Sequence, residues 1–140
     1  MKKNLFILII LLAGIGSMSY GQDTTVHDRA RMYADQKIEV YYFHFSRRCA
    51  TCLAVESESE KALKNLYPGK MESGLIAFKS IDLEEEINEP LAKKLQVSGQ
   101  TLLIVFGDEK IDLTGDGFKY ARTNPEKLQE SFKAAIDPLL

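Results

Sequence analysis

An apolar run with a cysteine pair just beyond it constrains this chain more than any other feature. The run is Ile38-Glu-Val-Tyr-Tyr-Phe-His-Phe45, and Cys49-Ala-Thr-Cys52 follows it closely. β-Branched and aromatic residues of this kind favour a strand. Side chains alternate along a strand, so Ile38, Val40 and Tyr42 share one face and Tyr41, Phe43 and Phe45 the other. Both faces are apolar, which predicts a central strand covered on both sides. From Cys49 to Leu66 there is no Gly or Pro. Cys52, Val55, Ser59, Ala62, Leu63 and Leu66 recur at helical spacing, while Glu56, Glu58, Glu60, Lys61 and Lys64 occupy much of the remaining circumference. The cysteines therefore lie where a buried strand turns into a helix.

The rest of the chain extends this pattern. Pro68-Gly69 stops the helix. Leu75 to Leu83 reads as a strand. Asn88 is placed to cap a second helix running to Leu95, with Pro90 tolerated in its first turn. Thr101 to Phe106 is a nearly apolar strand, Gly107-Asp108 suits a tight turn, and Lys110 to Leu113 returns antiparallel. Pro125 to Ile136 is amphipathic, with Leu128, Phe132, Ala135 and Ile136 inward. The order β-α-β-α-β-β-α predicts an α/β fold: a central mixed sheet with helices on both faces. Helix-containing crossovers predict parallel pairing of the first strands, and the last hairpin adds an antiparallel edge.

The N-terminus carries a different signal. Lys2 and Lys3 precede the apolar run Leu5 to Leu12, and a small-residue stretch ends at Ser17-Met-Ser-Tyr-Gly21. This is the order of a secretory signal peptide, cleaved after Gly21; the alternative is an uncleaved anchor. The apolar run falls short of the ~20 residues that span a bilayer. The expected organisation is a signal peptide over 1–21, an N-terminal arm or short helix over 22–36, and one domain over 37–140. The product is periplasmic or secreted, with no membrane span after cleavage. Two of the 18 Lys and Arg lie in the leader, so 16 remain against 20 Asp and Glu, a net −4. That balance argues against a nucleic-acid partner.

Export places the two cysteines where disulfides form. A structural staple gains most by closing a long loop, and this loop is very short, which favours a chemical role. The first turn of a helix presents unpaired N–H groups and the positive end of its dipole, so a thiolate there is stabilised. Cys49 is the expected exposed attacking thiolate. Cys52, three residues on and more buried, would resolve a mixed disulfide. Zinc sites share the C-x-x-C spacing but generally need four ligands. Here no second pair exists, and His27 and His44 are the only histidines, so no metal site is assigned. No glycine-rich phosphate loop is present, and no organic cofactor is expected.

Asn88-Glu-Pro-Leu-Ala-Lys-Lys-Leu-Gln-Val-Ser-Gly99, the strand Leu102 to Phe106 and the Cys49-Ala-Thr-Cys52 motif together resemble the thioredoxin-like superfamily over about residues 37–136. The resemblance implies a thioredoxin-like fold, with nucleophile and resolving roles for Cys49 and Cys52. More narrowly, Tyr42-Phe-His-Phe-Ser-Arg-Arg-Cys-Ala-Thr-Cys52 is similar to a small exported thioredoxin-like group labelled as a subunit linked to arsenical resistance or nitrophenyl-compound reduction by a nitroreductase. Three departures stand out. Thr101 occupies the position where thioredoxins have proline, and a cis bond before a non-proline costs ~3–4 kcal/mol, so a trans peptide is expected. In thioredoxin-like proteins, loss of that proline accompanies easier metal capture by the dithiol. Phe43 stands six residues before Cys49, where thioredoxins carry a buried acid. Ala50-Thr51 replaces the Gly-Pro dipeptide.

Other residues have two readings. His44 either tunes the thiolate or is a satisfied core or rim histidine. Arg47 and Arg48 either steer an anionic substrate and depress the thiol pKa, or are solvated. Thr101 either bonds a bound peptide or ligand, or is a buried strand residue. Glu56 is a proton acceptor only if it faces inward; its acidic neighbours favour a solvated face. The run Asp82-Leu-Glu-Glu-Glu86 suits a helix start and solvent. Asp108, Asp112 and Asp116 lack the spacing of a calcium loop and fit turn chemistry. The expected function is an exported thiol–disulfide oxidoreductase acting on protein or small-molecule disulfides or thiols, with a possible redox partner protein. The alternative is an accessory or binding subunit whose thiols hold a soft ligand such as arsenite or copper, or pass electrons to a partner. An inert short disulfide comes third.

Overall fold

A computed structural model describes residues 36–140. The leader, His27 and all but the last residue of the 22–36 arm lie outside the described residues.

Strand β1, Ile38–His44, is the centre of the sheet. Its partners are β2, Ile76–Asp82, running parallel, and β3, Thr101–Phe106, running antiparallel. β4, Glu109–Asp112, adds the antiparallel edge. The order is β2-β1-β3-β4. Helix α1, Ala50–Leu66, the short α2, Pro68–Glu72, and a single 3-10 turn, Glu86–Asn88, lie in the two crossovers with α3, Glu89–Leu95. Helices α4, Thr114–Tyr120, and α5, Pro125–Ile136, follow the hairpin. This strand order, with helices on both faces, is the α/β thioredoxin-like fold expected from the sequence. Among the described residues no helix is long and apolar enough to cross a membrane.

The alternation of β1 divides the core as the sequence pattern predicts. Ile38, Val40 and Tyr42 pack with Val55, Ala62 and Leu63 of α1 and with Leu128, Phe132 and Ile136 of α5. Tyr41 and Phe43 pack on the other face with Ala92 and Leu95 of α3 and with Leu103. Cys52, Val55, Ser59, Ala62 and Leu63 form the buried stripe of α1, as their spacing implies. The Tyr67 phenol donates a 2.7 Å bond to Asp137 Oδ1, tying the end of α1 to the end of the chain.

Four local expectations are corrected. The second crossover does not make another parallel pair, because β3 runs against β1. Its helix α3 has seven residues, about 10 Å, against about 23 Å for the seven residues of β2. The chain re-enters the sheet at the end it left, with Thr101 opposite Phe43 beside the His44–Asp82 pair. Phe45 lies past the end of β1 and is exposed. Asn88 precedes α3, but its side chain makes no cap; Nδ2 donates instead to the Asp82 carbonyl at 2.9 Å. Finally, Thr114–Tyr120 is helical where only turns were expected. Gly115 and Gly117 lower helix propensity and hid it. Gly117 lets α4 pack closely: a Cβ would sit 3.1 Å from Leu102 Cδ2 and 3.2 Å from Val55 Cγ1.

Phe132 is fully buried between α5 and the sheet. Phe132→Ala is expected to destabilise the protein by about 3–5 kcal/mol, read as a lower midpoint in urea unfolding; a loss under 1 kcal/mol would contradict this packing.

Candidate functional site

The site grows from the end of β1. The Leu83 N–H donates to the His44 carbonyl at 2.8 Å, continuing the sheet one step past the strand. Ser46 then holds the turn: its N–H donates to Glu84 Oε2 at 2.8 Å and its hydroxyl to Asp82 Oδ2 at 2.7 Å. Asp82 Oδ1 also accepts the Glu84 N–H at 2.9 Å. The Ser46 hydroxyl and that N–H hold the Asp82 carboxyl below its ordinary pKa. The acidic run assigned to a helix start and solvent is thus a brace for the loop that delivers Cys49.

Cys49 occupies the N-cap of α1 with extended backbone, φ −85° and ψ 167°. Its sulfur accepts the Cys52 N–H at 3.3 Å, and its carbonyl accepts the Leu53 N–H at 3.1 Å. This is the side-chain cap geometry that serine or aspartate usually supplies. Cys49 is exposed, Cys52 is 2% exposed, and both thiols are free. The Cys49 thiol is held below its ordinary pKa, first by a hydrogen bond from the Cys52 side chain, then by the Cys52 backbone N–H. The Thr51 and Cys49 N–H groups add to this, against a small desolvation. All are donors that favour the thiolate. The sequence-based assignment of an exposed and a buried thiol matches this placement.

Behind Cys52 the sequence reading missed a residue. The Cys52 sulfur lies 3.5 Å from Gln100 Nε2 and 3.6 Å from Gln100 Oε1. Thr101, the residue singled out beforehand, turns the other way. Its hydroxyl donates to the Gly99 carbonyl at 2.9 Å, and along β3 it alternates with Leu102, which faces α1. No cis peptide bond occurs among the described residues. Strand alternation counted backward from Leu102 was the signal that points to Gln100.

Arg48 bonds to Glu56 and to His44. His44 is buried, and its Nδ1 lies 3.1 Å from the Phe45 carbonyl. A guanidinium only donates, so the ring nitrogen facing Arg48 is the acceptor of that contact. Glu56 is not on a solvated face: its side chain is 25% exposed and paired with Arg48, itself 21% exposed. Arg47 is exposed, with no partner among the described residues. The structure therefore gathers Cys49, Cys52, Gln100, Arg48, His44 and Glu56 at one end of the sheet. No cluster of three or more His, Cys, Asp or Glu placed to hold a metal occurs among the described residues.

No family model matches this chain, and no curated protein matches its sequence. Two solved structures show a partial likeness. One is the germline-specific thioredoxin Deadhead of Drosophila melanogaster: 19% identity, 79% of this chain and 91% of that one covered, TM-score 0.45. The other is described as a malarial protein: 28% identity over 53% of this chain and 74% of that one, TM-score 0.38. The fold assignment rests on the strand order and register given above.

Alkylation of Cys49 is expected to follow a titration midpoint below the ~8.5 of a free thiol. Cys52→Ala removes the largest stabilising hydrogen bond and is expected to raise that midpoint, read from iodoacetamide rates between pH 5 and 10. A midpoint unmoved by the substitution would show that the Cys52 side chain does not hold the thiolate.

Proposed function

We propose that this protein is an exported thiol–disulfide oxidoreductase working through Cys49 and Cys52. One observation carries the reading: an exposed thiol at a helix N-cap, held toward its thiolate, with a second, buried thiol one turn on. The Cys49 thiolate attacks one sulfur of a substrate disulfide. That S–S bond breaks, and the departing sulfur leaves as a thiolate and takes up a proton. Cys52 then loses its proton and attacks Cys49 Sγ. The Cys49–Cys52 bond forms, the mixed disulfide breaks, and the second substrate sulfur leaves and is protonated. Two electrons pass from protein to substrate, and the reverse sequence oxidises a dithiol.

Phe45 and Leu53 expose apolar surface close in sequence to Cys49, which supports a polypeptide substrate beside small disulfides. Arg47, exposed and without a partner among the described residues, is available to an anionic group on the substrate. Export rests on the Lys2 to Gly21 segment, which supports a periplasmic or secreted location.

Cys52→Ser leaves the nucleophile in place and removes the resolving thiol. It is expected to accumulate mixed disulfides at Cys49 with peptide or glutathione disulfides, seen as a mass increase lost on reduction, while Cys49→Ser gives none. Absence of adduct in Cys52→Ser would overturn the oxidoreductase reading and favour a dithiol that holds a soft ligand.

A further inference from the structure

Resolution requires a negative charge on Cys52, a sulfur that is 2% exposed. A buried thiolate needs donors or a nearby cation. The residue six positions before Cys49 is Phe43, which faces α3 on the opposite side of the sheet, so no carboxylate serves from there. Arg48 is already joined to Glu56 and His44. The neighbours left to the sulfur are neutral.

Two of them have the required chemistry. Tyr42 is fully buried on the α1 face of β1, and its hydroxyl has no hydrogen-bond partner among the described residues. An orphaned hydroxyl in a core is costly and calls for an explanation. Tyr42 shares a core cluster with Val55, which lies one turn beyond Cys52 on the buried stripe of α1, and its ring is 5.8 Å from that of His44 at the end of β1; after burial itself, the groups that act on the phenol are Cys52, Arg48 and Cys49. Gln100 is the second neighbour, its amide within 3.6 Å of the Cys52 sulfur at both terminal atoms. A carboxamide accepts from a thiol through its oxygen and donates to a thiolate through its nitrogen, so Gln100 suits both states.

We infer that Tyr42 and Gln100 form a neutral two-donor pocket that stabilises the Cys52 thiolate as it forms, a role that rests on the oxidoreductase reading above. The Tyr42 O–H turns onto the sulfur when its proton leaves, and the Gln100 Nε2–H does the same from the β3 side. Neither residue takes the proton. Burial pushes the Tyr42 phenol up to about 12, so it remains a donor throughout the working range. The proton from Cys52 goes to solvent or to the departing substrate sulfur, and the balance of the reaction is unchanged. The charged or titratable groups bordering the pocket are Cys49, Arg48 with its partner Glu56, and His44. Where α4 packs closest it brings Gly117 against Val55 and Leu102, none of which titrates.

The test separates the two chemical steps. Reduced protein is mixed with glutathione disulfide, quenched in acid at intervals, and the Cys49 adduct and internal disulfide are counted by mass spectrometry from pH 5 to 10. For Tyr42→Phe, adduct formation is expected at the wild-type rate. Adduct decay is expected to slow about tenfold, with its half-rate pH moved up by about one unit. Gln100→Leu is expected to shift decay in the same direction. A Tyr42→Phe protein that changes only in melting temperature, with the decay profile intact, overturns the inference and leaves Tyr42 as packing. Should Tyr42→Phe fail to fold, half-exposed Gln100 decides: wild-type decay in Gln100→Leu overturns the donor pocket. Wild-type protein that forms no adduct removes the oxidoreductase reading itself, a result distinguishable from both.

Discussion

The structure depends on burial of β1 from both sides. Ile38, Val40, Tyr42 and Phe43 are all 1% exposed or less, and full burial of such side chains is worth roughly 1.5–3 kcal/mol each. Both neighbouring strands pair with this one, and the helices of both faces pack on its side chains. A strand held in this way has a well-defined end. That end, His44, is joined to Leu83 of the neighbouring crossover, and the Ser46 turn is bonded to Asp82 and Glu84. The rigidity of the core is thereby passed to Arg47 and Arg48, the two residues that separate the turn from the dithiol.

The inequality of the two thiols follows from helix geometry. Cys49 is the N-cap, outside the helix and open to solvent; Cys52 lies one turn in, on the stripe that α1 buries. A three-residue step returns nearly to the same helix face while moving inward. The donors that lower the Cys49 pKa are those a helix start leaves unpaired, together with the second thiol itself. Activation and resolution are thus set by the same local feature. Cationic side chains enter differently than their position before Cys49 suggests: Arg48 joins Glu56 to His44 and so links β1 to the second turn of α1.

Polarity behind the dithiol is supplied by uncharged groups. Phe43 and Tyr42 are adjacent in sequence yet face opposite layers, so the residue that matters to Cys52 is one step from the position that motif counting selects. The same shift separates Thr101 from Gln100, the residue just before β3. In both strands a single-residue offset moves a side chain through the sheet.

By itself the sequence determined the α/β class, the central strand, the extents of α1 and α5, the mixed sheet and the pairing of an exposed with a buried cysteine. These follow from local periodicity, which a chain carries whatever its neighbours do. It left α4 unread, because Gly115 and Gly117 lower helix propensity, and the close approach of Gly117 to Val55 and Leu102 exists only after packing. The antiparallel direction of β3 was settled by the end of the sheet at which the crossover re-enters, a matter of position in space. The Gln100 partner of Cys52 and the Asp82 partner of Ser46 were decided by tertiary structure alone. Gln100 is 48 residues from Cys52 in sequence, and Asp82 is 36 from Ser46. Neighbours so distant are chosen by strand order and register, and no local pattern records them.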